Sequence, residues 1–154
     1  MQLRIRCPRC GQLFYLLNII GLLVVGSVIY LLVRPGADIS RLIVRLFHIP
    51  EQSLFSGGLY RQVSEKPWLL WINNFLPDML WAAALTFTVS WILGRGKRQL
   101  ILTGAVSAFV EVLSELLQAA GVLSGTFDSL DSILEVIATG LVLLIIIIFF
   151  RRKK

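Results

Sequence analysis

Four long apolar runs constrain this chain more than any other feature. The first, 14–33, is twenty residues without a charge, matching the ~20 residues needed to cross a ~30 Å hydrocarbon core. The others are 68–93, broken early by Asn73, Asn74, Pro77 and Asp78; 100–122, broken by Glu111, Glu115 and Gln118; and 132–150, which ends in an Ile/Phe-rich stretch. The first run is too long for the apolar part of a signal peptide and has no small-residue cleavage site before Arg34, so it is read as retained. Composition agrees: 56% of the residues are hydrophobic and 16% charged, against ~25% charged in a soluble domain. A core of 154 residues cannot hide that much apolar surface from water. Disorder, collagen, a disulfide scaffold and an ordinary water-soluble enzyme are excluded. The expected fold is all-α, an integral membrane four-helix bundle.

Four spans put both termini on one side, and the charges choose it. Ten of the fifteen Lys and Arg residues fall on the terminal side: Arg4, Arg6, Arg9, Arg95, Lys97, Arg98, Arg151, Arg152, Lys153 and Lys154. The opposite side has five, spread over the 34–67 loop, and a 123–131 loop with two acids and no base. The positive-inside rule therefore predicts a multi-pass protein of the cell (inner or plasma) membrane with cytoplasmic termini. On this reading 1–13 is a cytoplasmic segment and 151–154 a basic cytoplasmic tail. The formal charge of +6 sets topology and touches anionic lipid rather than nucleic acid. Trp68 and Trp71 are expected at the outer interface of the second span and Trp91 near its inner one. Pro77 marks either its start or a kink.

The first outer loop has its own periodicity. Ile39, Leu42, Ile43, Leu46 and Phe47 recur at helical spacing, while Asp38, Arg41, Arg45 and His48 share the other face. This predicts an extra amphipathic helix over 38–49, capped by Asp38 and closed by Pro50. It is too short to span. Two placements fit: flat in the outer headgroup layer with Arg41 and Arg45 toward phosphates, or packed on the bundle as a lid.

Cys7-Pro8-Arg9-Cys10-Gly11 has the form of one zinc-ribbon knuckle. A structural zinc needs four ligands, and the chain holds only two cysteines and one histidine. A metal at Cys7 and Cys10 therefore requires sharing between two chains of a homo-oligomer. A redox-active pair and a reduced, structurally idle pair are the other readings. No cofactor is otherwise implied.

The acids inside the spans carry the most information, because intramembrane carboxylates are expensive and face a bundle interior or a wet cavity. Glu111, Glu115 and Gln118 are spaced i, i+4, i+7 and form one stripe. At ~1.5 Å per residue Glu111 lies near mid-bilayer and Glu115 above it. Asp78 opens the second span, and Asp128, Asp131 and Glu135 straddle the outer start of the fourth. All six acids fall at or above the midplane, where they are placed to line one outward pocket. They then need a metal ion, shared protons or basic partners, for which Arg34, Arg61 and Lys66 are on the correct side. The competing structural reading makes Asp128 and Asp131 helix caps, and Glu111 and Glu115 interhelical pairs. No nucleophile-plus-base constellation is visible; Ser114, Ser124, Thr126 and Ser132 are hydroxyls without an assigned base.

The segment Glu115-Leu116-Leu117-Gln118, then Phe127-Asp128-Ser129-Leu130-Asp131 and Gly140, resembles the VanZ-like family of small multi-span membrane proteins. The stretch from Leu76-Pro77-Asp78 to Trp81 is similar to the start of that family's preceding span. Gly125-Thr126 stands where the family often has an Arg before Phe-Asp, and Glu135 where it has an Asn. The resemblance implies Glu115, Gln118, Phe127, Asp128 and Asp131 as functional positions, with Gly140 as a helix-packing position. It also implies a link to low-level teicoplanin resistance. Three functions follow. The first is an envelope protein that binds or modifies a lipid-linked or amphiphilic molecule at Asp78, Glu111, Glu115, Gln118, Phe127, Asp128, Asp131 and Glu135. The second is a proton- or cation-coupled transport subunit. The third is a structural assembly protein without chemistry.

Overall fold

A computed structural model describes residues 8–33, 45–46, 48, 66–123 and 128–150. Four α-helices account for most of them: α1 Pro8–Val33, α2 Pro67–Leu93, α3 Lys97–Ala119 and α4 Ser129–Phe150. Each contains a stretch long and apolar enough to cross a membrane: Gly11–Tyr30, Asn74–Leu93, Lys97–Ala119 and Ser129–Phe150. The all-helical, four-span expectation agrees with this architecture.

The helix ends differ from the apolar runs, for local reasons. α1 begins at Pro8 rather than 14; proline suits a first turn because its missing N–H would have no helical partner there. α2 runs unbroken through Pro77, so the proline neither starts nor stops the helix, although the carbonyl four residues earlier loses its donor. α3 stops at Ala119, not 122. Gly121 takes φ +69°, the Gly121 N–H donates to the Gln118 carbonyl at 2.9 Å, and the Val122 N–H donates to the Leu117 carbonyl at 2.9 Å. These two bonds form a Schellman motif, which ends the helix despite the apolar residues beyond it. α4 starts at Ser129, three residues before the expected position.

α2 is the hub. It packs against α1, α3 and α4, and α3 packs against α4. Ala82, Ala83 and Ala84 are buried along α2 and let its neighbours approach closely. On the α1 side Gly26 makes the approach possible: a Cβ there would stand 2.8 Å from Trp81 Nε1. Tyr30 lies against the same indole, with ring centroids 5.3 Å apart. The apolar core joins Tyr15, Ala83, Phe87, Val142 and Ile146. At that end Phe14 contacts the rings of Phe87, Phe149 and Phe150. The Arg95 guanidinium lies 4.1 Å from the Phe150 ring centroid, a cation–π contact. The Tyr15 hydroxyl is 3.1 Å from Ser90 Oγ, so this buried phenol has a polar partner.

α3 is inside-out by the standards of a water-soluble protein. Its buried residues are Thr103, Ser107, Glu111 and Glu115, while Ile101, Leu102, Phe109 and Leu116 are exposed. Water would reverse this arrangement. It is the arrangement that hydrocarbon favours, where lipid tails solvate apolar faces and polar groups must find one another.

Only a fragment of the 38–49 segment is described. Arg45 and Leu46 have helical backbone and are exposed. His48 takes φ 51°, a left-handed conformation that does not continue an α-helix, so the segment turns before position 49. Arg41 and the remainder of the amphipathic segment lie outside the described residues. So do Phe127, Cys7, Arg34, Arg61, Ser124 and Thr126. Cys10 falls in the first turn of α1.

Candidate functional site

The polar stripe of α3 is longer than its two glutamates. Thr103, Ser107, Glu111 and Glu115 recur every four residues and all are buried, which places them on one face, one turn apart. α4 presents Glu135 and Thr139, also four apart, and Thr139 is buried. The two stripes meet at Glu111. Thr139 Oγ1 donates to Glu111 Oε1 at 2.6 Å, and Thr139 Oγ1 lies 2.8 Å from Thr86 Oγ1 on α2. Thr86 Oγ1 in turn donates to the Ala82 carbonyl at 2.9 Å. Three helices are thus tied together through one carboxylate and two threonines. Each threonine has one hydroxyl hydrogen, so two hydrogens serve three contacts.

Glu115 has a different role. Its Oε2 accepts the Asp128 backbone N–H at 3.3 Å, fastening the end of α3 to the start of α4. The Asp128 carboxylate Oδ1 accepts the Leu130 N–H at 2.9 Å, the N-cap bond that satisfies one orphan donor of α4. Asp131 lies in the first turn of α4, where a negative charge complements the helix dipole. For Asp128 the capping reading therefore has a direct observation behind it. Gln118 is half-buried and sits where the Schellman turn peels α3 away from the stripe.

The acids nevertheless converge. Glu135 is half-buried and lies within electrostatic reach of Glu111, Asp78, Glu115 and Asp131, so α2, α3 and α4 each contribute to one acidic region. Among the described residues, no group of three or more His, Cys, Asp or Glu side chains is placed to hold one metal ion. Lys66 is exposed at the start of α2. Among the described residues Ser107 Oγ, Glu111 Oε2 and Glu135 Oε2 are buried oxygens of this region with no hydrogen-bond partner. A buried oxygen of this kind costs ~1–3 kcal/mol when it is left unfilled. The region is rich in acceptors and suits a proton, a cation or a hydrogen-bond-donating group.

The sequence reading missed Thr86, Thr103, Ser107 and Thr139. A signal was present for three of them: Thr103 and Ser107 extend the Glu111–Glu115 spacing backwards, and Thr139 extends it from Glu135. Thr86 carried no such mark. Ser114 donates to the Glu111 carbonyl at 2.7 Å and so serves its own helix. Gly140 does not meet its expected packing role within the described residues, since a Cβ there would have no atom within 4 Å. No protein family, curated protein or solved structure matches the chain.

Proposed function

We propose that this chain is a VanZ-like protein of the cell (inner or plasma) membrane, with both termini cytoplasmic. In this reading the acidic region between α2, α3 and α4 opens outward and binds an amphiphilic or lipid-linked envelope molecule, with a link to teicoplanin-type resistance. The observation that supports it most is the convergence of Asp78, Glu111, Glu115, Asp131 and Glu135 from three helices. An acidic region at membrane depth is complementary to a head group that carries positive charge or donates hydrogen bonds, while the apolar helix faces suit an acyl chain. Lipid is the immediate partner, and the basic residues Arg41 and Arg45 are assigned to its phosphates.

Native mass spectrometry of mildly solubilised protein tests this, with Glu135→Gln as the comparison. Glu135 is chosen because its Oε2 holds no hydrogen bond among the described residues, so the substitution breaks none at that oxygen. A retained amphiphile in wild type that is lost in the variant is the expected result. Bare protein in both samples overturns the reading. Teicoplanin and vancomycin susceptibility in cells carrying empty vector, wild type and Glu135→Gln tests the resistance link, which identical values in all three would remove.

A further inference from the structure

Ser107 and Glu111 occupy successive turns on the buried face of α3. Ser107 is fully buried and Glu111 is 4% exposed. Ser107 Oγ and Glu111 Oε2 both lack a hydrogen-bond partner among the described residues. The other carboxylate oxygen, Oε1, is held by Thr139, which fixes the carboxyl plane and leaves Oε2 as the open position. One carboxylate charge at this depth is balanced by one positive charge, and oxygen ligands of this kind suit a hard monovalent ion or a proton.

We infer that Glu111 Oε2 and Ser107 Oγ form a buried site for one exchangeable monovalent positive charge, a proton or a sodium ion. Glu135 on α4 is electrostatically coupled to Glu111, and Glu135 is coupled in turn to Glu115 on α3, Asp78 on α2 and Asp131 on α4. α1 brings no charged side chain between 11 and 30. All of these neighbours are acids, so the field at the site attracts cations and repels anions. The inference rests on the buried oxygens and not on the amphiphile reading, so bare protein in the mass spectrum leaves it standing.

The test uses full-length protein in detergent and dicyclohexylcarbodiimide, an apolar reagent that modifies carboxyls in their protonated form. Peptide mapping reads the modification at Glu111, with Glu111→Gln as the blank. Labelling of Glu111 that falls as pH rises and ignores sodium chloride assigns the site to a proton. Labelling that sodium chloride suppresses, and potassium chloride does not, assigns it to sodium. Absence of label at Glu111, or label indifferent to both pH and sodium, overturns the inference. Ser107→Ala tests the pairing. Losing one ligand oxygen weakens the site roughly fivefold, read as a higher sodium concentration or a lower pH at half-labelling. An unchanged midpoint in Ser107→Ala removes Ser107 from the site.

Discussion

Replacing Thr139 by valine keeps the side-chain shape and removes the hydroxyl that donates to Glu111 Oε1 at 2.6 Å. The same change breaks the contact to Thr86. A hydrogen bond to a charged group contributes ~1.5–3 kcal/mol in a water-soluble protein. Interhelical hydrogen bonds measured in a membrane protein average ~0.6 kcal/mol and reach ~1.7, because separated helices in lipid also find partners. Thr139 has such an alternative, since a threonine hydroxyl in a helix turns readily to the carbonyl four residues earlier. Glu111 has no comparable substitute: its Oε2 already lacks a partner, so losing Thr139 leaves the whole carboxyl unsatisfied. The expected destabilisation of Thr139→Val is therefore ~1–2 kcal/mol, above the membrane-protein average. Coupling separates this from a packing defect. In a double-mutant cycle with Glu111→Leu, the double variant should be more stable than the sum of the single losses by ~1 kcal/mol, because the orphaned carboxyl is removed together with its partner. Equilibrium unfolding in mixed micelles measures all four corners. Additivity within ~0.3 kcal/mol would refute the idea that the two stripes are locked together at this bond.

Other substitutions give sharper contrasts than any single loss. Gly26→Leu forces atoms into the space where a Cβ already stands 2.8 Å from Trp81 Nε1, and should cost ~1–3 kcal/mol; Gly140→Ala, which meets nothing within 4 Å, should be neutral or raise the melting temperature slightly. Equal effects of the two in a thermal scan would contradict the α1–α2 packing. Asp128→Asn keeps the cap and should leave stability unchanged, whereas Asp128→Ala should lose ~1 kcal/mol; a large loss in the Asn variant would show that the charge, not the cap, matters. Arg95→Leu removes the guanidinium over Phe150 and should cost ~0.5–1 kcal/mol, with a loss that added salt in the wild type does not reproduce. Gly121→Ala places a Cβ at φ +69° and should destabilise by ~1 kcal/mol, visible as faster hydrogen exchange at the α3 end.

The four helices were legible because spanning length and apolarity are properties of a contiguous segment, independent of what that segment touches. Composition alone pointed to helices apolar enough to cross a membrane, and the spacing of Glu111 and Glu115 showed that they share a face. The helix ends were less legible. The apolar run from 100 continues to Val122, but hydrophobicity does not register the left-handed Gly121 that closes α3, and Pro8 begins α1 in a stretch without apolar periodicity. Gly140 and Gly26 look alike in sequence; only the neighbouring helix distinguishes the glycine that Trp81 crowds from the one beside open space.

Tertiary structure decided which acid does what. Glu111 and Glu115 are equivalent by spacing and equally buried, yet one accepts a threonine hydroxyl from α4 and the other fastens a backbone N–H across the α3–α4 turn. Hydrogen bonds depend on where a second helix places its donor, and that placement follows from packing small residues such as Ala82, Ala83 and Ala84 on α2, which no local pattern encodes. Local sequence carries the length and apolarity of the four helices and the polar face of α3. The docking of α4 on α3 decided that Glu111 keeps one oxygen without a partner, because a carboxyl's remaining capacity is set only when its other oxygen has found a partner.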